Sequence, residues 1–127
     1  RTKAVMIVHY GGFPVDMPAI RAAAARRGLL VIEDAAHALG STFDGRACGL
    51  LGDAGCFSFF PNKNMTTGEG GMVVFRDEGP AARARLLRSH GMTTLTWDRH
   101  RGHAPVAIIT CLVREKSSRE RIEHSRP

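Results

Sequence analysis

The stretch "AVMIVHYGGFPVDMPAIRAAAARRGLLVIED", residues 4–34, decides the fold. It opens on "AVMIVH" (4–9), rich in β-branched residues and poor in alternation, the pattern of a strand buried on both faces. "YGGFP" breaks that run. Asp16 then stands where a helix through "MPAIRAAAARR" needs an N-cap, Pro18 is tolerated in the first turn, and Gly28 ends the helix. "LLVIED" (29–34) is a second strand. Strand, helix and strand within about thirty residues make a βαβ unit, with two parallel strands joined by a right-handed crossover.

Outward from this unit, "AAHALGSTFDGRACGLLGD" (35–53) is punctuated by glycine and reads as irregular chain with short turns. "AGCFSFF" (54–60) is a third strand and "GGMVVFR" (70–76) a fourth. "DEGPAARARLLRSHG" (77–91) reads as a helix with acids at its start and Arg88 and His90 near its end, in agreement with the macrodipole. No internal repeat or low-complexity linker interrupts the series. The expected fold class is α/β, a mainly parallel sheet with flanking helices.

Composition narrows the function classes. The chain has 127 residues, 43% hydrophobic and 24% charged, which suits one folded domain and not a disordered one. No apolar run approaches the ~20 residues of a membrane span, and the start "RTKAVMIVHY" has no signal-peptide pattern and no initiating Met. It reads as the middle of something longer. The net charge of +6 is uneven: residues 1–98 carry 11 Lys/Arg against 9 Asp/Glu, and residues 99–127 carry 7 against 3. A basic tail without interleaved aromatics is a weak case for nucleic acid, so no specific nucleic-acid partner is expected. Three cysteines without CxxC spacing indicate neither zinc nor a disulfide framework, and the default setting is reduced and cytoplasmic. His90, His100 and His103 lie across a basic segment with no carboxylate or thiolate partner in ligand spacing, so no metal is expected.

Three short motifs carry chemistry. Asp34 ends a buried strand, at the edge where open α/β sheets bind ligands, though it could equally cap the segment after the strand; His37, three residues on, could be a satisfied structural histidine. "FSFFPNKN" (57–64) sets Ser58 and Lys63 beside an aromatic run. Such a run would exclude water, and desolvation disfavours a charged lysine and makes its amine a nucleophile. The alternative is an inert, solvent-facing lysine at a strand exit. "TTGEGGMVVF" (66–75) holds Gly68, Gly70 and Gly71, which suit close approach to a ligand but also a hairpin into the next strand. It is not a nucleotide P-loop. Cys56, beside Ser58, is most simply a small buried apolar residue.

Taken in order, "VHYGGFPVDMPAI", "GLLVIEDAAHALGSTFDGRACGLLGD", "CFSFFPNKNMTTGEGGMVVF" and "LLRSHGM" resemble the DegT/DnrJ/StrS family of sugar aminotransferases. The resemblance runs from about Ala4 to Ala104. It implies part of the large domain of a fold-type I enzyme that uses pyridoxal 5'-phosphate. Carried over by position, Lys63 matches the catalytic lysine that holds the cofactor as a Schiff base and then moves a proton as general acid and base. Asp34 matches the carboxylate paired with the pyridine nitrogen, which keeps the ring an electron sink. Ser58 matches a hydroxyl on the cofactor phosphate, and His37 falls near the ring. A lysine at position 63, where sugar-dehydrating relatives carry histidine, implies amino transfer, typically from glutamate, to a keto group on a nucleotide-linked sugar. The family builds its sites across a homodimer.

The resemblance also has edges. The family's N-terminal portion, with a Gly-Thr phosphate segment and a stacking aromatic, and its C-terminal small domain find no counterpart here. Residues 105–127, "PVAIITCLVREKSSRERIEHSRP", shift to an apolar patch and a basic run. The expected organisation is therefore an aminotransferase core over 1–104 and a divergent basic tail over 105–127, from a truncated or frame-shifted product without turnover of its own. A genuine short tail forming an edge strand and a frayed basic helix is the other reading. In a different functional class, the chain would be a non-catalytic cofactor-binding or interaction module.

Overall fold

The computed structural model describes residues 1–88 and the backbone of residues 108–113. Along the chain run β1 (Ala4–Val8), a 3-10 turn (Tyr10–Gly12), α1 (Met17–Ala25), β2 (Leu30–Asp34), β3 (Thr42–Phe43) and β4 (Arg46–Ala47). They are followed by β5 (Ala54–Ser58), β6 (Gly70–Phe75), α2 (Glu78–Arg88) and β7 (Ile108–Val113). Five strands form one sheet in the order β1-β2-β5-β6-β7, and β3 and β4 make a separate two-stranded hairpin. Three of the four pairings are parallel, and β5–β6 is antiparallel.

The βαβ unit forms as its residues dictate. Asp16 Oδ1 accepts the Ala19 N–H at 3.0 Å, which satisfies one orphan donor at the start of α1. At the other end Leu29 N–H reaches Ala24 O at 3.0 Å and Gly28 N–H reaches Ala25 O at 3.2 Å. That pair of bonds is a Schellman stop, and Gly28 takes the left-handed φ of 60° it requires. β1 and β2 then lie parallel, Val8 beside Asp34. Met17, Ala24, Ile7, Val31 and Leu51 make the core between α1 and the sheet.

Two sequence expectations need correction. β1 is buried on one face only: Ile7 is buried, but Met6 and Val8 are 62% and 48% exposed. The strand sits at the sheet edge and α1 covers a single side of it. Residues 35–53 are not simply irregular, because Thr42–Phe43 pairs antiparallel with Arg46–Ala47 across Asp44-Gly45. Both turn residues have positive φ, 48° and 72°, the geometry of a two-residue hairpin. The predicted helix over 77–91 begins at Glu78 and reaches Arg88; its last residues, Trp97, the three distal histidines and the boundary at 104/105 lie outside the described residues. The apolar patch of the tail contains β7, parallel to β6.

Candidate active site

The C-terminal ends of β1, β2 and β5 converge on one edge of the sheet, the edge at which parallel α/β sheets bind ligands. Val8 leads into the Tyr10–Gly12 turn, Asp34 into 35–41, and Ser58 into the loop that carries Lys63. A cleft of about 210 Å³ opens there, lined by Gly11, His37, Ser58, Asn62, Lys63 and Asn64 among others. Three of the four sequence-predicted site residues thus share one wall. Asp34 is not in that lining. It ends the next strand, in register with Cys56, and strand alternation turns Asp34, Cys56 and Ser58 to the same face.

The loop from β5 to β6 is the long connection of an antiparallel pair, so the glycine-rich stretch serves the hairpin reading. Phe59 N–H reaches Gly70 O at 2.9 Å and Thr67 N–H reaches Phe59 O at 3.0 Å. Within that frame Lys63 N–H closes a turn onto Phe60 O at 3.0 Å. The aromatic run does not wall off Lys63 as expected. Phe59 is buried and Phe57 packs on Ala35, Ala38 and Cys48, but Phe60 is 46% exposed and Lys63 itself is half-buried. Alternation along β5 sends successive rings to different sides, so they cannot all surround one amine.

Asp34 is oriented locally: its Oδ1 accepts the Ala36 N–H at 3.0 Å. Ala35 N–H ties to Cys56 O at 2.8 Å. Burial first, and then the Asp34 carboxylate, push the Cys56 thiol up from its usual range. His37 is exposed, with its ring edge-on to Tyr10 at 6.3 Å between centroids. Ser41 Oγ donates to Gly12 O at 2.7 Å, which fastens the Tyr10–Gly12 turn to the chain after β2.

Sequence reasoning passed over two residues that organise this edge. Glu33 and His9 are both fully buried. The Glu33 carboxylate accepts from His9 Nε2 at 2.9 Å, from Gly49 N–H and Leu51 N–H at 2.7 Å each, and from Gly52 N–H. Val15 N–H fills His9 Nδ1 at 3.2 Å, which places the ring proton on Nε2. The available signal was a charged residue inside an otherwise apolar strand, since a buried carboxylate needs partners. A larger groove of about 590 Å³ lies between α1 and the 43–53 segment, lined by Met17, Ala24, Val31, Phe43, Asp53 and Arg76 among others. It holds none of the predicted site residues and no nucleophile, so the smaller cleft is the candidate.

The chain matches the DegT/DnrJ/EryC1/StrS aminotransferase family over residues 1–110. It is 51% identical over 100 residues to the spore coat polysaccharide biosynthesis protein SpsC of Bacillus subtilis, covering 79% of this chain and 26% of that one. It is 55% identical over 92 residues to the GDP-perosamine synthase of Caulobacter vibrioides, covering 72% and 25%. Among solved structures, the aminotransferase TlmJ from Streptoalloteichus hindustanus aligns with a TM-score of 0.70 at 52% identity, over 76% of this chain and 26% of that one. The chain therefore spans about a quarter of the length of the curated relatives it matches. Its mostly parallel sheet with flanking helices is the fold of the type I pyridoxal-phosphate aminotransferases, and the chain belongs to the DegT/DnrJ/EryC1/StrS aminotransferase family.

Proposed function

We propose that this chain carries the cofactor-binding strand ends of a sugar aminotransferase, which moves an amino group, with glutamate as donor, onto a keto carbon of a nucleotide-linked sugar. The observation that carries the reading is the shared cleft of Lys63, Ser58 and His37, with Asp34 at the neighbouring strand end. Family membership supports it, as does a relative named for a GDP-linked sugar.

The donor set suits pyridoxal phosphate. One amine, one hydroxyl and two carboxamides face the cleft, and a carboxylate with one oxygen committed to Ala36 stands beside it. When bound, that cofactor supplies an electron sink for the carbanion next to the transferred nitrogen. Asp34 would hold a proton on the ring nitrogen by its charge. Ser58 would donate to a phosphate oxygen, and His37 would border the ring. Lys63 would hold the cofactor's carbonyl carbon and then move a proton as acid and base, a role its place on a turn at the cleft mouth leaves room for. In the full-length family this site is completed across a homodimer, in a reducing compartment such as the cytoplasm.

A second reading applies to the 127 residues by themselves. The half-buried Lys63 and exposed Phe60 leave the cleft open to water, which favours cofactor binding without turnover. Borohydride reduction of the chain mixed with pyridoxal phosphate, followed by mass-spectrometric mapping, tests the proposal. Lys3 and Lys116 are the other two lysines and serve as internal controls. Selective labelling of Lys63 that is lost in Asp34→Ala is the expected result. Equal labelling of all three, or of none, contradicts it.

A further inference from the structure

We propose that Glu33 and His9 act together as a positioning pair for Asp34 and for the wall of the Lys63 cleft. The inference rests on the cofactor reading above. Glu33 and Asp34 are consecutive on β2, so the pleat sends their side chains to opposite faces. Fixing one therefore fixes the direction in which the other leaves the strand.

Glu33 is held by four donors from two separate segments, His9 on one side and the 49–52 turn on the other. Burying a carboxylate this way gives little net stability over a packed apolar side chain. Its geometric effect is specific. His9 bonds both members of the acidic pair: its ring Nε2 donates to Glu33, and its backbone N–H donates to Asp34 O at 3.1 Å. His9 Nδ1 also accepts from Val15, so the ring spans the base of the loop that holds Tyr10–Gly12. Gly11 of that loop lines the cleft, and Tyr10 stands against His37. One imidazole thus links the buried carboxylate, the strand end bearing Asp34, and the cleft wall. The titratable neighbours are few: His9 and Cys48 near Glu33, and Cys56 beside Asp34.

Replacing Glu33 risks the fold, so the test uses His9, whose loss leaves Glu33 its three backbone donors. His9→Asn keeps an acceptor for Val15 and removes the donor to Glu33. His9→Gln keeps a donor for Glu33 and gives up the acceptor. The full chain and both variants are titrated with pyridoxal phosphate, following affinity, the pH midpoint of the bound cofactor's absorbance change, and the thermal midpoint of unfolding, with Asp34→Asn as benchmark. Expected for His9→Asn is an affinity loss of about tenfold, the scale of one hydrogen bond to a charged group. Its pH midpoint moves toward that of Asp34→Asn, while His9→Gln stays near wild type in both. A His9→Asn protein with lowered thermal midpoint but wild-type affinity and pH midpoint overturns the positioning role. A wild-type chain that never traps the cofactor on Lys63 overturns the cofactor reading itself, and the positioning role with it.

Discussion

The ring of Phe57 lies across Gly49: a Cβ built on Gly49 would stand 2.2 Å from Phe57 Cζ. The same glycine backs onto Gly55, whose own Cβ would meet Gly49 O at 2.0 Å. The turn before β5 is therefore seated directly on the strand that leads to Lys63, with no room for a side chain at either position.

Gly49→Ala combines that overlap with a φ of 85°. The substitution is expected to cost about 2–4 kcal/mol, from left-handed strain together with overpacking against an aromatic ring. Urea unfolding measures it. A loss below roughly 0.5 kcal/mol, the range of ordinary surface substitutions, would show that Phe57 can swing away.

Glu33→Ala removes one carboxylate and strands three buried N–H groups and the His9 ring proton. The expected destabilisation is about 3–5 kcal/mol, a large share of a domain's ordinary stability. Denaturant unfolding with circular dichroism reads it. A variant as stable as wild type would mean that water or a shifted turn satisfies these donors.

Arg76 joins Asp53 at 2.8 Å while its second nitrogen donates to Gly52 O at 2.7 Å. Asp53 in turn accepts the Val31 N–H at 2.7 Å. A double-mutant cycle should give a coupling of about 1 kcal/mol for this partly exposed pair. Arg76→Lys should recover little of it, because an ammonium cannot serve the carboxylate and the carbonyl through one planar fork. Full recovery by lysine would reduce the contact to simple charge pairing.

Cys56 offers a pH-dependent readout of Asp34. Its thiol is raised by burial and by the Asp34 carboxylate, so both oppose the thiolate. Asp34→Asn removes the anion and lowers the thiol toward its usual range, which increases the thiolate fraction at any given pH. Alkylation of Cys56 near pH 8 should become several-fold faster in that variant, mapped by mass spectrometry. Cys48, fully buried and raised first by burial and then by Glu33, should stay slow in both proteins. An unchanged Cys56 rate in Asp34→Asn would place the carboxylate away from the sulfur.

Much of the fold was legible because its signals are local. The Asp16 cap, the Gly28 stop and two flanking apolar runs each act within a turn or two of chain, and all three appear as read. The Asp44-Gly45 hairpin was legible too, through a dipeptide favoured where both φ values are positive, but its flanking strands are only two residues long and carry no alternation. Of the candidate site, the sequence pointed to Asp34, His37, Ser58 and Lys63. It could not tell that the cleft gathers the last three while Asp34 stands one strand aside.

By itself the sequence determined the βαβ core, the strand ends that bear polar side chains, and, through its ordered motifs, the family. The tertiary structure alone decided which carboxylate of the Glu33-Asp34 pair is buried and which faces the site edge. It also decided that His9 reaches across from β1 to bind the buried one, 24 residues away in sequence. The physical reason is that a strand's two faces are equivalent until something packs on one of them. The 49–52 turn, with its three N–H donors aimed at β2, makes the choice, and no local pattern in the chain announces where that turn will land.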